Sequence, residues 1–131
     1  MGDATKKRVI SIDDSASTRA VIKNFLTDSN YELVASLKDG VEGARVYTEM
    51  KPDLVLLDIV MPIQSGKDTL RQILAGDSSA RVVMVSSLGT EEAVHECLQA
   101  GARSFLQKPF AKDDLLNTLK TVLETAEAGA K

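Results

Sequence analysis

The sequence predicts an α/β fold, a doubly wound five-stranded parallel sheet with five helices, and three observations carry that prediction. Five short apolar runs alternate with five stretches of helical periodicity, the pattern of strand–helix–strand units with right-handed crossovers. Two of the runs, Leu54–Leu57 and Val82–Val85, are apolar at every position, as strands covered on both faces are. The 131 residues show no compositional break, and that length supports one domain with one sizeable core. A single domain over 1–131 is expected, its core from about 8 to 126, with flexible ends at 1–7 and 127–131.

Arg8–Ile12 reads as the first strand. Asp14 or Ser15 caps a helix running to about Asp28, with Ala20, Val21, Phe25 and Leu26 on one face. Glu32–Ser36 alternates more weakly, as an edge strand does. Lys38-Asp39-Gly40 is a turn, and a helix from Val41 to Met50 closes before Pro52, since proline disfavours helix in the residue preceding it. Leu54–Leu57 is a buried strand. A loop holding Pro62 and Gly66 leads to a helix from about Lys67 to Leu74. After the Val82–Val85 strand, Thr90 caps a helix over Glu91–Ala100 that Gly101 stops. Ser104–Gln107 is the last strand. The final helix runs from Lys112 or Asp113 to about Ala126 on Leu115, Leu116, Leu119, Val122 and Leu123, and Asp113 and Asp114 suit its positive end.

Composition removes several classes of function. Apolar residues are 44% and charged residues 27% of the chain, and the net charge is −3. A mildly acidic protein is a poor ligand for nucleic acid or an anionic membrane, so neither is expected as a direct partner. No apolar run is long enough to span a bilayer, and the polar start from Met1 to Lys7 has no signal-peptide core behind it. A cytoplasmic location is expected. Cys97 is the only cysteine and His95 the only histidine, which excludes an internal disulfide, a multi-cysteine or multi-histidine metal site, and leaves little for a Ser–His–Asp hydrolase. Both lie on the fourth helix, where surface exposure for His95 and packing for Cys97 are the plain readings.

In doubly wound folds the ligand site lies beyond the carboxyl ends of the strands. Here strand one ends in Asp13-Asp14, strand three in Asp58, strand four in Ser86-Ser87 and strand five in Lys108-Pro109. Taken singly, Asp13 and Asp14 read as helix-start residues, the serines as loop residues and Lys108 as a solvated lysine. Asp58 resists such a reading, because a carboxylate after four apolar residues of a central strand is desolvated and costly unless used or paired. Together they place three carboxylates, a hydroxyl and an ammonium on one rim. Clustered carboxylates without nitrogen or sulfur partners select a hard divalent cation, Mg²⁺ or Mn²⁺. Such a cation lessens carboxylate repulsion and neutralises an incoming phosphoryl group. A carboxylate can itself be the nucleophile, giving an aspartyl phosphate. Lys108 and Ser86 can then hold the phosphoryl oxygens.

Asp13-Asp14, Asp58 with Met61-Pro62 and Gly66 after it, Ser86, and Gly101-Ala102 leading to Phe105 and Lys108-Pro109-Phe110 together resemble the receiver-domain signature of two-component response regulators, the CheY-like superfamily. The match runs from about Arg8 to Val122. Each motif is weak alone; in this order and spacing they are specific. The resemblance implies a flavodoxin-like sheet of strand order 2-1-3-4-5 and a stand-alone receiver. It implies that Asp58 is the phosphoacceptor and that Asp13, Asp14, Asp58 and the backbone carbonyl of Val60 hold the metal. It implies that Lys108 contacts the phosphoryl group, that Ser86 swings to hydrogen-bond it, that Phe105 is the switch aromatic, and that Lys108-Pro109 is cis. The implied phosphoryl donor is a histidine kinase or a histidine phosphotransfer domain. The target is a protein that binds the surface of the fourth helix, fifth strand and fifth helix, in chemotaxis or another pathway. The chain is expected to be a monomer and not an enzyme, catalysing only its own phosphorylation and dephosphorylation.

Val60 and Leu88, each two residues beyond a site residue, are apolar. They are expected to flank the phosphoryl group, hinder water and lengthen its lifetime. Other readings share parts of the pattern. A phosphorelay intermediate that hands its phosphoryl group to a histidine phosphotransfer domain has the same residues, as does a phosphorylation-independent interaction module. A haloacid-dehalogenase-type phosphatase needs a second Asp where Val60 stands. A flavodoxin cradles phosphate in a loop of glycine and hydroxyls, where this chain has Asp13-Asp14-Ser15.

Overall fold

The computed structural model describes residues 6–129, with side chains described to residue 125. Its elements are β1 (Lys7–Ile12), α1 (Ala16–Leu26), β2 (Tyr31–Leu37), α2 (Gly40–Met50), β3 (Leu54–Leu57), α3 (Gly66–Gly76), β4 (Val82–Ser86), α4 (Glu91–Gln99), β5 (Ser104–Gln107) and α5 (Lys112–Gly129). The strands form one parallel sheet in the order β2-β1-β3-β4-β5, as the resemblance implied. Residues 1–5 and 130–131 of the expected flexible ends lie outside the described residues, while Lys7 opens β1 and α5 continues to Gly129.

Strand alternation divides the core into two layers. Ile10, Ile12, Val55, Leu57, Val82 and Met84 face α2, α3 and α4, against Tyr47, Leu70, Ile73 and Cys97. Val9, Leu54, Leu56, Val83, Val85 and Leu106 face α1 and α5, against Ile22, Leu26, Leu115, Leu119 and Val122. This explains why β3 and β4 are apolar at every position: both faces of each are covered and every residue is buried. Each such side chain contributes about 1.5–3 kcal/mol by leaving water. β2 is an edge strand and is only partly buried.

Hydroxyl and carboxylate caps start the helices. Ser15, Asp39, Ser65 and Thr90 each accept a backbone N–H two or three residues into the helix. On α5 the Asp114 carboxylate reaches back to the Ala111 N–H at 3.0 Å, half of a capping box.

Two expectations for α1 need correction. The helix ends at Leu26 and not near Asp28, because Thr27 turns extended and Asp28 takes a φ of 61°, while Ser15, one of the two residues offered as its cap, does cap it. Its buried residues are Ile22 and Leu26 with Phe25 beside them, while Ala20 and Val21 face water. Ile22 and Leu26 are one helical turn apart and so share the inner face.

Candidate functional site

Strand register assembles the site. Ile12 of β1 pairs with Leu57 of β3, so the residues that follow, Asp13 and Asp58, leave the sheet side by side. The Asp58 N–H donates to the Ile12 carbonyl at 3.0 Å, and the Asp13 N–H to the Leu37 carbonyl at 2.9 Å. Ser86 pairs with Gln107, and the Lys108 N–H then donates to the Ser86 carbonyl at 2.9 Å. All four positions lie at carboxyl ends of strands. β1 and β3 flank the point where the chain changes direction across the sheet, the usual place for a ligand in this architecture.

Asp13 is 2% exposed and Asp58 5%, whereas Asp14 faces water. One carboxylate oxygen from each of the three lies within 4.8 Å of the others. Lys108 Nζ stands 2.8 Å from Asp13 Oδ2 and 3.6 Å from Asp58 Oδ2. Asp13 Oδ1 accepts the Ser15 N–H at 2.8 Å. Asp13 Oδ2 is fully buried and has no hydrogen-bond partner, its contact with Lys108 being one of charge. Burial pushes the Asp58 carboxyl above the usual carboxylate range, and the Asp13 charge adds to this. The Lys108 ammonium and the N–H groups of Ile59 and Val60 partly offset it. A buried carboxylate held above its ordinary value beside a second one, whose Oδ2 accepts no hydrogen bond, suits a divalent cation of oxygen preference.

Ser86 is buried, and its Oγ accepts the Leu88 N–H at 3.2 Å. Phe105 is half-buried and packs against the core layer beneath α4. Val60 and Leu88 are 63% and 44% exposed. The Lys108-Pro109 peptide is cis, as the resemblance implied. Phe110 packs edge-on against Phe25 of α1, centroids 6.1 Å apart. Beside this pair lies a groove of about 310 Å³ that reaches Lys108, lined also by Ser17, Thr18, Val21 and Pro109. His95 is exposed on α4 and Cys97 is buried, its thiol pushed up by burial; neither reaches the site.

How the loop after Asp58 is held is not legible in the sequence. The Gly66 N–H donates to the Ile59 carbonyl at 2.7 Å, and a Cβ on Gly66 would fall on the Asp58 carbonyl. Glycine is thus required by close approach, which spacing alone does not signal. Within the loop, the Gln64 N–H donates to the Pro62 carbonyl at 2.7 Å across Ile63, whose φ is 72°. This γ-turn is strained for a β-branched residue.

The family model of the response regulator receiver domain matches residues 9–120. The chain belongs to that family. It is 41% identical over 113 residues to the chemotaxis protein CheY of Listeria monocytogenes, covering 86% of this chain and 95% of that one. Identity to CheY of Bacillus subtilis is 37%, covering 88% and 97%. Among solved structures, CheY in the CheX–CheY–BeF3–Mg complex of Borrelia burgdorferi superimposes with a TM-score of 0.87 at 30% identity, over 94% of this chain and 98% of that one. The chain is therefore a two-component response regulator receiver domain, and phosphorylation of an aspartate with Mg²⁺ is general to such receivers. Among the described residues no helix is long and apolar enough to cross a membrane.

Proposed function

We propose that this receiver is a cytoplasmic chemotaxis regulator that takes a phosphoryl group from a phosphohistidine donor onto Asp58 and signals through its α4–β5–α5 surface. The observation that carries the reading is the meeting of Asp13, Asp14, Asp58 and the Lys108 ammonium at one strand end. The similarity to chemotaxis CheY proteins supports the pathway.

In the transfer, an Asp58 carboxylate oxygen attacks phosphorus. The P–N bond to the donor imidazole breaks, and its electron pair stays on the nitrogen. Phosphoryl transfer needs mainly positioning and charge neutralisation, which these residues supply. Asp13, Asp14, Asp58 and the Val60 carbonyl would hold Mg²⁺, which when bound neutralises phosphoryl oxygens. Lys108 contributes a point charge to one of them. Ser86, whose Oγ accepts the Leu88 N–H in this structure, turns to donate its O–H to another phosphoryl oxygen.

The product adds roughly −1.5 to −2 charges to the rim. The movement of Ser86 leaves room for Phe105 to turn inward, which repacks the surface of α4, β5 and α5. A protein that prefers the repacked surface reads the signal. Val60 and Leu88 overhang the phosphoryl group and slow hydrolysis.

The test is transfer from a ³²P-labelled chemotaxis histidine kinase. Label is expected to move to the wild-type chain and not to Asp58→Asn. Label that stays on the kinase would contradict the reading. Onward transfer from Asp58 to a histidine phosphotransfer domain would assign the chain to a relay instead.

A further inference from the structure

α4 has little apolar surface to hold it. Only Cys97 of its nine residues is fully buried, whereas α2 and α3 each bury four. One ion pair crosses to it: Lys67 Nζ, on α3, lies 2.8 Å from Glu96 Oε1. Among the described residues this is the one ion pair that joins two helices; the others lie within α2, within α3 or in the acidic site.

The placement of the two charges is informative. Lys67 is the second residue of α3, at the helix's positive end, and Glu96 lies in the last turn of α4, at its negative end. Each is therefore unfavourable within its own helix. The acids Asp68, Glu91 and Glu92 by contrast occupy first turns, where the dipole favours them. Helix stability accounts for neither Lys67 nor Glu96; their mutual contact does.

One end of the pair lies beside the loop after Asp58. Lys67 follows Gly66, whose N–H is bonded to the Ile59 carbonyl and whose backbone lies against the Asp58 carbonyl. Its other end sits on the helix that follows Ser86. A shift of the loop after Asp58, or of α4, therefore stretches one 2.8 Å contact.

We propose that the Lys67–Glu96 ion pair is a strap that holds α4 in its resting position and thereby restrains phosphoryl acceptance at Asp58. The inference rests on the reading of Asp58 as the acceptor. A contact made in the resting arrangement and weakened in the phosphorylated one opposes phosphorylation by its differential strength. Because the pair is half-exposed, the effect is modest.

The test compares wild type, Glu96→Gln, Lys67→Gln, and the exchanged pair Lys67→Glu with Glu96→Lys. Acetyl phosphate and Mg²⁺ are supplied, and phosphorylation rates are read by mass spectrometry. Both single variants are expected to be phosphorylated about two- to fivefold faster, and the exchanged pair to return to the wild-type rate or below. Single variants at or below the wild-type rate, or an exchanged pair as fast as the singles, would overturn the strap. Amide hydrogen exchange on the unphosphorylated chain gives a readout that does not depend on Asp58. Without a strap, Glu96→Gln removes a charge from the wrong helix end and α4 exchanges more slowly. With the strap, α4 exchanges faster. Wild type that takes no phosphoryl group would defeat the acceptor reading, and the exchange result would then decide the strap alone.

Discussion

The Lys108 ammonium lies 2.8 Å from Asp13 Oδ2, closer than its 3.6 Å approach to Asp58. In the resting site, then, the lysine chiefly balances the carboxylate beside the acceptor. Two consequences separate its roles. Lys108→Met removes a positive charge next to a cation site, so Mg²⁺ affinity should rise about three- to tenfold. On the proposed reading it also removes the charge that meets the transferred phosphoryl, so phosphorylation should slow at least tenfold, about 1.4 kcal/mol. Calorimetric Mg²⁺ titration and acetyl phosphate kinetics read the two effects. A parallel fall in both would mean that Lys108 mainly supports the fold.

Asp58 is held above the ordinary carboxylate range by burial and by Asp13, and this makes stability depend on pH. A carboxyl group whose folded-state pKa is raised contributes stability below its unfolded value, about 3.9. That contribution is lost as pH rises through the folded-state value. At neutral pH and without metal, Asp58 is therefore a destabilising charge. Asp58→Asn should melt about 3–5 °C higher than wild type at pH 7, and the difference should vanish as pH falls below about 4. Saturating Mg²⁺ should narrow the gap by stabilising wild type alone. Equal melting temperatures at pH 7 would contradict this.

Gly66 is required where the loop crosses Asp58. Gly66→Ala would drive a methyl group into the Asp58 carbonyl, which is backbone and cannot swing aside. The expected cost is about 2–4 kcal/mol in urea unfolding, with weaker Mg²⁺ binding because Asp58 is displaced. Gly76, which meets nothing within 4 Å, is the control: Gly76→Ala should be neutral or slightly stabilising.

Val60 is 63% exposed at the rim and offers water nothing to bond. Val60→Asn should shorten the phosphoryl lifetime about threefold or more, since a polar group can orient the attacking water. The decay of phosphorylated protein after removal of phosphodonor measures it. An unchanged lifetime would remove Val60 from the kinetic account.

Much of this was legible in the sequence, for definite reasons. β3 and β4 stand out because burial on both faces leaves no polar position. Asp13, Asp58, Ser86 and Lys108 were marked by following strands, and parallel register then brought them together. What escaped depends on three-dimensional contact. The inner face of α1 is hidden because Ala20, Val21 and Ile22 are consecutive apolar residues, and only packing against the sheet decides among them. The end of α1 is hidden because Thr27 leaves the helix without a proline or glycine to mark it. The closeness of Gly66 to Asp58 and the Lys67–Glu96 pair lie between segments that the sequence does not relate.

The proposed function stands on Asp58 accepting a phosphoryl group within a carboxylate cluster suited to a divalent cation. Intact-mass spectrometry after incubation with acetyl phosphate tests it most directly, with and without Mg²⁺, for wild type and Asp58→Asn. A single phosphoryl adduct that needs both Mg²⁺ and Asp58 is expected. No adduct on wild type with Mg²⁺, or an equal adduct on Asp58→Asn, would contradict it.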